Sequence, residues 1–366
     1  MRALLINWGA VIQILVEKSI SMGTESKTTS YRSEVIRSPT LYTEEFTAQE
    51  EVDVRNMRRF GGTRIKAIIV PKVHWLLLHT PVFIAIAPVR LAVLVLRSLY
   101  WWRRNPLRLS CEHICKIAHR AGHQHQSRQV YQQLLTNLLG AVKNYFDLYD
   151  RGLDFALDRI QLSSTDGAKM EKLVKDHGGV LLMVPHNFGT SFSVLEMNRT
   201  LPLLLVVRNS PTIERTKIAV DYFTRMQVSI LLVRGGNPFQ LSRTLFSVLK
   251  DDKVVTATVD KLDNSKNRVE VDMFGSQVGL SPWAARIAAR MNVPVVPTYC
   301  KSQGRQLSII LGPPLISNDT TELIQHYARF FEQNIIEDPA SWAFLGDKHW
   351  AKALHKASSR LDETTG

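Results

Sequence analysis

Cysteine is scarce in this sequence: three residues, Cys111, Cys115 and Cys300, in a chain of 366. Three thiols cannot build a disulfide framework, so a reducing compartment is the simpler expectation. Acidic residues are in deficit too, 33 against 46 Lys and Arg, which leaves a formal charge of +13 and a pI near 9.7. That balance excludes an acidic disordered chain and asks for an anionic partner: nucleic acid, a membrane surface or an acidic carrier. Long uncharged spans are few, and a mean hydropathy of −0.07 excludes a polytopic membrane protein. There is no P-loop, and the HGGV run at 177–180 precedes a strand pattern instead of following one, so no nucleotide cofactor is implied. No aromatic-basic strand motif or finger spacing supports nucleic acid.

What is present divides into four stretches. Residues 1–22 carry the apolar run ALLINWGAVIQILV, too short to span a bilayer as a helix. Ser19 and Ser21 are spaced like a signal cleavage site, but Asn7 and Gln13 dilute the run. A membrane-surface helix or a misassigned start is therefore favoured. Residues 23–55 are rich in Ser, Thr and Glu with no periodicity, so residues 1–55 are expected to be a poorly ordered extension.

Residues 56–110 read as a membrane-anchoring segment with basic flanks. Val73 to Val89 is free of charge, about 25 Å of helix against a hydrocarbon core of about 30 Å. Arg90 then interrupts, LAVLVL continues to Leu96, and Pro81 and Pro88 would bend a helix here. A short tilted span, a re-entrant hairpin or an interfacial anchor all fit, and a core helix with a basic rim is the plainer alternative. Tyr100, Trp101 and Trp102 resemble an interfacial aromatic belt. Arg97, Arg103, Arg104 and Arg108 are expected to face anionic headgroups.

Residues 111–350 read as an α/β domain and 351–366 as a flexible tail. Cys111, Cys115, His119 and His123 recur every four residues. One helix face packed on a neighbour explains that stripe better than a zinc site, whose ligand pairs sit closer and are split by a loop. From Gly178 onward, continuous apolar runs alternate with helical patterns: VLLMVP, LPLLLVV, VSILLV, KVVTATV, PVVPTYC and LSIILGPP. Such runs mark strands buried on both faces, hence a mixed, mostly parallel sheet flanked by helices. Ser281 with Pro282 reads as a helix start, and DTTE at 319–322 as a capping box on Asp319.

Ligands in open α/β sheets collect beyond the carboxyl ends of the strands. His186, Arg208, Arg234 and Asp260 each stand just past an apolar run. One base, two cations and one carboxylate on a common edge suit an anionic substrate and proton abstraction. Any one of them alone would be an ordinary wet loop residue. His186 is the natural general base. Glu196, ten residues on, is too distant along a helix to orient it.

HNFGTS after a buried strand resembles the HxxxxE/D box of the lysophospholipid acyltransferase superfamily. The fit is closer to its lipid A biosynthesis (lauroyl/myristoyl) acyltransferase branch. VVRNSP, LLVR, TVDKLD, MFGSQVGLSP, PVVP, GPPL and EDPASWAFLGDKHW follow in that branch's order across roughly residues 70–350. The resemblance implies a glycerolphosphate-acyltransferase-like fold with an N-terminal membrane-anchoring helix. It also implies transfer of a fatty acyl group from acyl carrier protein, or from acyl-CoA, to a hydroxyl on a membrane lipid such as a lipid A-type glycolipid. The enzyme would work at the cytoplasmic face of the inner membrane, without cofactor, metal or nucleic acid. His186 would deprotonate the acceptor, and backbone N–H groups of the following helix would hold the oxyanion. Arg208 and Arg234, with Asn187 and Asp263, would bind substrate. Trp101, Trp102, Arg103 and Arg104 would hold the anionic membrane surface.

One departure matters. The family's acid five residues after the histidine is Ser191 here, and Phe188-Gly189 replaces a small Gly-Asn pair. A serine accepts a hydrogen bond but cannot stabilise imidazolium as a carboxylate does. Asp260 or Asp263 must then supply the charge, or the chain is a lipid- or carrier-binding scaffold. A third reading makes Ser191 the nucleophile of a serine hydrolase with Asp260 and His349. There GTSFS has Ser193 where the nucleophile elbow needs glycine.

Overall fold

The computed structural model describes residues 68, 71–72, 74–76, 78–208, 213–233, 238–251 and 253–365. The extension expected over 1–55 lies outside the described residues.

Among the described residues, nine strands form two sheets. They are β1 (Ile160–Gln161), β2 (Gly179–Val184), β3 (Leu203–Arg208), β4 (Ser229–Val233) and β5 (Lys253–Thr258). The hairpin β6 (Val269–Met273) and β7 (Ser276–Leu280) follows, then β8 (Val295–Gln303) and β9 (Gln306–Leu311). The large sheet runs β1-β9-β8-β2-β5-β3-β4, and only β8–β9 is antiparallel. The fold is therefore α/β with a mostly parallel mixed sheet.

The N-terminal helices are α1 (Val82–Ala85), α2 (Ala87–Ser98), α3 (Pro106–Arg120), α4 (Ser127–Arg151) and α5 (Leu153–Leu157). Helices α6 (Ser164–His177), α7 (Thr190–Thr200), α8 (Ile213–Arg225) and α9 (Pro238–Lys250) alternate with the parallel strands. Then come α10 (Trp283–Met291), α11 (Thr320–Glu337) and α12 (Lys348–Thr365). Pro282, not Ser281, stands at the cap of α10, whereas the Asp319 carboxylate accepts from the Thr321 N–H at 2.8 Å.

β2 shows why the apolar runs become strands. All six of its residues are buried. Val180, Leu182 and Val184 join the core of Phe146 and Tyr222. Leu181 and Met183 join the core of Tyr299, Phe331 and Trp342 on the other face. Each such side chain contributes about 1.5–3 kcal/mol by leaving water. Two apolar faces leave the start of the strand unspecified, and HGG supplies it. Gly178 ends α6 in the left-handed conformation at φ 73°. At Gly179 a Cβ would lie 2.2 Å from the Leu249 carbonyl oxygen, so only glycine lets β2 pass the end of α9.

The C-terminal tail is a correction. Residues 348–365 form α12, which packs against α3 with Trp350, Leu354 and Ala357 buried. Ser358 adds a 2.7 Å hydrogen bond to His113 Nδ1. The short sequence KHWAKALHKASS hides a helical stripe that α3 covers with Cys111, Ile114 and Cys115.

Candidate active site

Strand order brings together what the chain separates by 74 residues. β5 lies between β2 and β3, and Val184 pairs with Thr258. Two residues further on, each strand delivers a site residue: His186 from β2 and Asp260 from β5. Imidazole Nδ1 bonds Asp260 Oδ1. The His186 backbone N–H donates to Asp260 Oδ2 at 2.9 Å. Asp260 is 1% accessible, while 22% of the His186 side chain remains so. An ionised carboxylate only accepts, so the tautomer that pairs with it carries the proton on Nδ1 and leaves the Nε2 lone pair to act.

Burying Asp260 is costly unless its oxygens are satisfied. The segment after α11 does this. Trp342 Nε1–H donates to Asp260 Oδ2 at 2.9 Å, and Trp350 Nε1–H donates to the Asp260 carbonyl at 2.9 Å. Phe344 stacks on the imidazole, centroids 4.0 Å apart and planes 16° off parallel. The Ala343 N–H donates to the His186 carbonyl at 2.7 Å, and the Phe188 N–H to the Ser341 carbonyl at 3.2 Å. Behind the two indoles stands Phe274, 5.9 Å from Trp342 and 5.8 Å from Trp350 between ring centroids. Phe274 holds a left-handed φ of 57°, followed by Gly275 at 71°, in the β6–β7 turn. A non-glycine there costs about 1–3 kcal/mol unless its surroundings fix it. Here the two tryptophans take the ring, and Glu332 accepts the Phe274 N–H at 2.7 Å. Burial raises the Glu332 carboxyl above its usual range, and that N–H offsets only part of the rise.

The remaining sequence candidates fare unequally. Ser191 is buried in the first turn of α7, and its hydroxyl neighbours the Tyr222 phenol in the opposite core. Among the described residues it forms no hydrogen bond with His186, Asp260 or His349. The helix turns it away, which leaves the serine-nucleophile arrangement unassembled. Asn187 is buried and committed: its side chain donates to the Ser341 carbonyl at 3.2 Å and accepts from the Cys300 N–H at 3.3 Å. It clamps the loop instead of facing a ligand. Asp263 caps its own turn through the Ser265 N–H at 2.8 Å and hydroxyl at 3.1 Å, so Asp260 alone supplies the charge to His186. The amides of Asn187, Phe188 and Thr190 already have acceptors and are not an oxyanion hole.

Arg208 closes β3, next to β5, and only its backbone is described. Arg234, expected just after β4, lies outside the described residues. Trp101, Trp102, Arg103 and Arg104 are exposed. Tyr100 is not part of that surface: it is buried with its hydroxyl 3.1 Å from Ser127. Arg97 turns toward α4, donating to the Thr136 hydroxyl at 3.0 Å, and Arg108 pairs with Glu112 one turn along α3 at 2.7 Å. No three His, Cys, Asp or Glu side chains converge as a metal set among the described residues.

Sequence reasoning missed the roles of Trp342, Phe344, Trp350 and Phe274. Their motifs were visible, and two indoles in one short segment that must bury with N–H partners were a usable signal.

A parallel α/β domain with a histidine–carboxylate pair at the carboxyl edge of its sheet is the layout of a general-base enzyme. Comparison with known proteins narrows this. The sequence model of the bacterial lipid A biosynthesis acyltransferases matches residues 156–351, more than half of the chain. The chain belongs to that family. A phosphatidylinositol mannoside acyltransferase of Mycobacterium tuberculosis is 30% identical over 130 residues, 34% of this chain and 40% of the relative. The protein of the same name from Mycolicibacterium smegmatis is 26% identical over 146 residues, 39% of this chain and 47% of the relative. The chain thus spans less than half the length of these relatives.

Proposed function

We propose that the chain transfers a fatty acyl group from a thioester, on acyl carrier protein or coenzyme A, to a hydroxyl of a membrane glycolipid. The observation that carries this reading is the His186–Asp260 pair, joined across β2 and β5 and held by Trp342. His186 Nε2 takes the acceptor's hydroxyl proton as that oxygen attacks the thioester carbonyl. Asp260 stays ionised and stabilises the imidazolium. The tetrahedral intermediate then expels the thiolate, which recovers the proton from Nε2. General-base assistance of this kind is worth about 10²–10⁴-fold.

Arg208, which closes β3, and Arg234, which follows β4 in the sequence, bind acceptor phosphate or the developing oxyanion on this reading. The relatives named for phosphatidylinositol mannoside favour a glycosylated phospholipid acceptor, with a lipid A-type glycolipid as the family's alternative. The enzyme works at the cytoplasmic face of the inner membrane, and three free, buried cysteines are compatible with that reducing side.

The test offers purified protein a labelled acyl thioester with each acceptor class. Transfer to a glycolipid hydroxyl is expected and is lost in His186→Ala. No transfer to any lipid, or full transfer by His186→Ala, overturns the reading.

A further inference from the structure

The helical stretch Val82–Trp101 has 20 residues and is apolar enough to cross a membrane. At 1.5 Å per residue it is about 30 Å long, the thickness of a hydrocarbon core. Its side contacts argue otherwise. The stretch lies along α4. Ala85 and Ile86 join the core that holds Val142 and Phe146, while Val93 and Leu96 join the core that holds Tyr131 and Leu134. Polar bonds fasten the same side. The Tyr131 hydroxyl donates to the Leu96 carbonyl at 2.6 Å, the Arg97 guanidinium to the Thr136 hydroxyl at 3.0 Å, and the Asn105 amide to the Leu99 carbonyl at 3.0 Å. A crossing helix would have to leave α4 or drag it into lipid. α4 cannot follow, because its Asn137 and Asn144 hold the β8–β9 turn through the Gly304 N–H and the Arg305 carbonyl.

Among the described residues, nothing covers the opposite side of the stretch. Phe83, Leu91, Leu94 and Trp101 are 68%, 63%, 59% and 68% exposed. Arg90, Arg103 and Arg104 are exposed beside them. Arg90, in the middle, would sit near the bilayer centre of a span, where a charge costs about 2.5–3.5 kcal/mol or more. In a helix lying flat it meets headgroups. From Val54 to Cys111 the sequence has no Asp or Glu but eleven Lys and Arg, against a net charge of +13 for the whole chain. The charge excess and the apolar stripe thus share one segment, a pairing suited to an anionic bilayer and not to a neutral protein groove.

We propose that this face is a monotopic seat: Val82–Trp101 lies parallel to an anionic membrane, sunk into one leaflet, with both ends on the same side. The inference deepens the membrane part of the function proposed above, and its tests need no acyl transfer, so either can fail alone.

The full chain would carry a fluorophore on single cysteines introduced as Phe83→Cys, Leu91→Cys or Trp101→Cys; the native Cys111, Cys115 and Cys300 are buried. In phosphatidylglycerol vesicles with shallow and deep lipid quenchers, the three positions should report the same shallow depth. A deep Leu91 between two shallow ends would establish a span and overturn the proposal. An impermeant maleimide added outside should label Thr80→Cys and Arg104→Cys alike, and shielding of one of them overturns it too. The pair Leu91→Glu and Leu94→Glu should weaken vesicle partitioning about a hundredfold, with helix content and unfolding midpoint unchanged. Wild-type protein that ignores the vesicles also overturns it. So does a wild-type dimer in solution that the same pair of substitutions splits, since the face would then belong to a second copy of the chain.

Discussion

Two segments flank His186, and they treat it differently. On one side lie Asp260 at the end of β5 and the 338–350 segment, with Trp342, Phe344 and Trp350 against the pair. On the other lies the first turn of α7, with Ser191 where the family's acid is expected. The first side satisfies the imidazole and its carboxylate. The second is packing: Ser191 neighbours Tyr222, which meets Tyr145 at 5.1 Å, and Tyr145 meets Tyr149 at 5.0 Å. The lesson is that the histidine's partner is a product of strand order, not of spacing along a helix.

The harshest way to break this comparison is to move the acid. Asp260→Asn should lower kcat by about 10³–10⁴-fold, because an amide no longer fixes the tautomer or stabilises imidazolium. Adding Ser191→Asp to that variant should restore nothing, since the α7 turn points away from the imidazole. Recovery of transfer in the double variant would show that the two sides are interchangeable.

The packing side should respond to acid through stability instead. His74 is 4% exposed and packs edge-on against Tyr149 at 5.6 Å. Burial lowers its pKa from 6.5 to about 4, partly countered by nearby Asp221. Below pH 6.5 the unfolded chain takes up a proton that the folded chain refuses until about pH 4. Stability is therefore unaffected above pH 6.5 and falls progressively between these values, by at most about 3 kcal/mol. Unfolding midpoints measured from pH 7.5 to 4.5 should drop, and His74→Phe should flatten the drop. An unchanged slope in that variant would assign the acid sensitivity elsewhere.

Trp342→Phe sharpens the first side. It keeps the ring against Phe274 and removes one donor from a buried carboxylate, which costs about 1–3 kcal/mol. The expected effect is a kcat about tenfold to a hundredfold lower with KM little changed, and a shifted pH–rate profile. A rise in KM alone would make Trp342 a substrate contact.

The strand and helix pattern was readable because parallel strands buried on both faces leave unbroken apolar runs, and β2, β3, β4, β5, β8 and β9 all stand where such runs occur. His186 and Asp260 were readable as strand ends. Their contact was not, because order within a sheet depends on which helix crosses where, and β5 inserting between β2 and β3 leaves no mark in either run. The backbone partners of Asn187 and Asp263 were not readable for a related reason: short polar side chains near a site serve backbone groups as readily as ligands. The tail was misread because a stripe of Trp350, Leu354 and Ala357 is sparse until α3 is seen to cover it.

The smallest effect is the one that separates the two sides most cleanly. Ser191 is the residue that a reading from spacing would mutate first, either as the family's replaced acid or as a nucleophile. Its hydroxyl sits among apolar and tyrosine side chains, so Ser191→Ala removes a buried polar atom and little else. Stability should change by no more than about 1 kcal/mol. Transfer should stay within about twofold of the parent, and a fluorophosphonate probe should label neither protein. A loss of a hundredfold or more, with the fold intact by circular dichroism, would return α7 to the reaction. It would then be the β5 side whose role needed a second explanation.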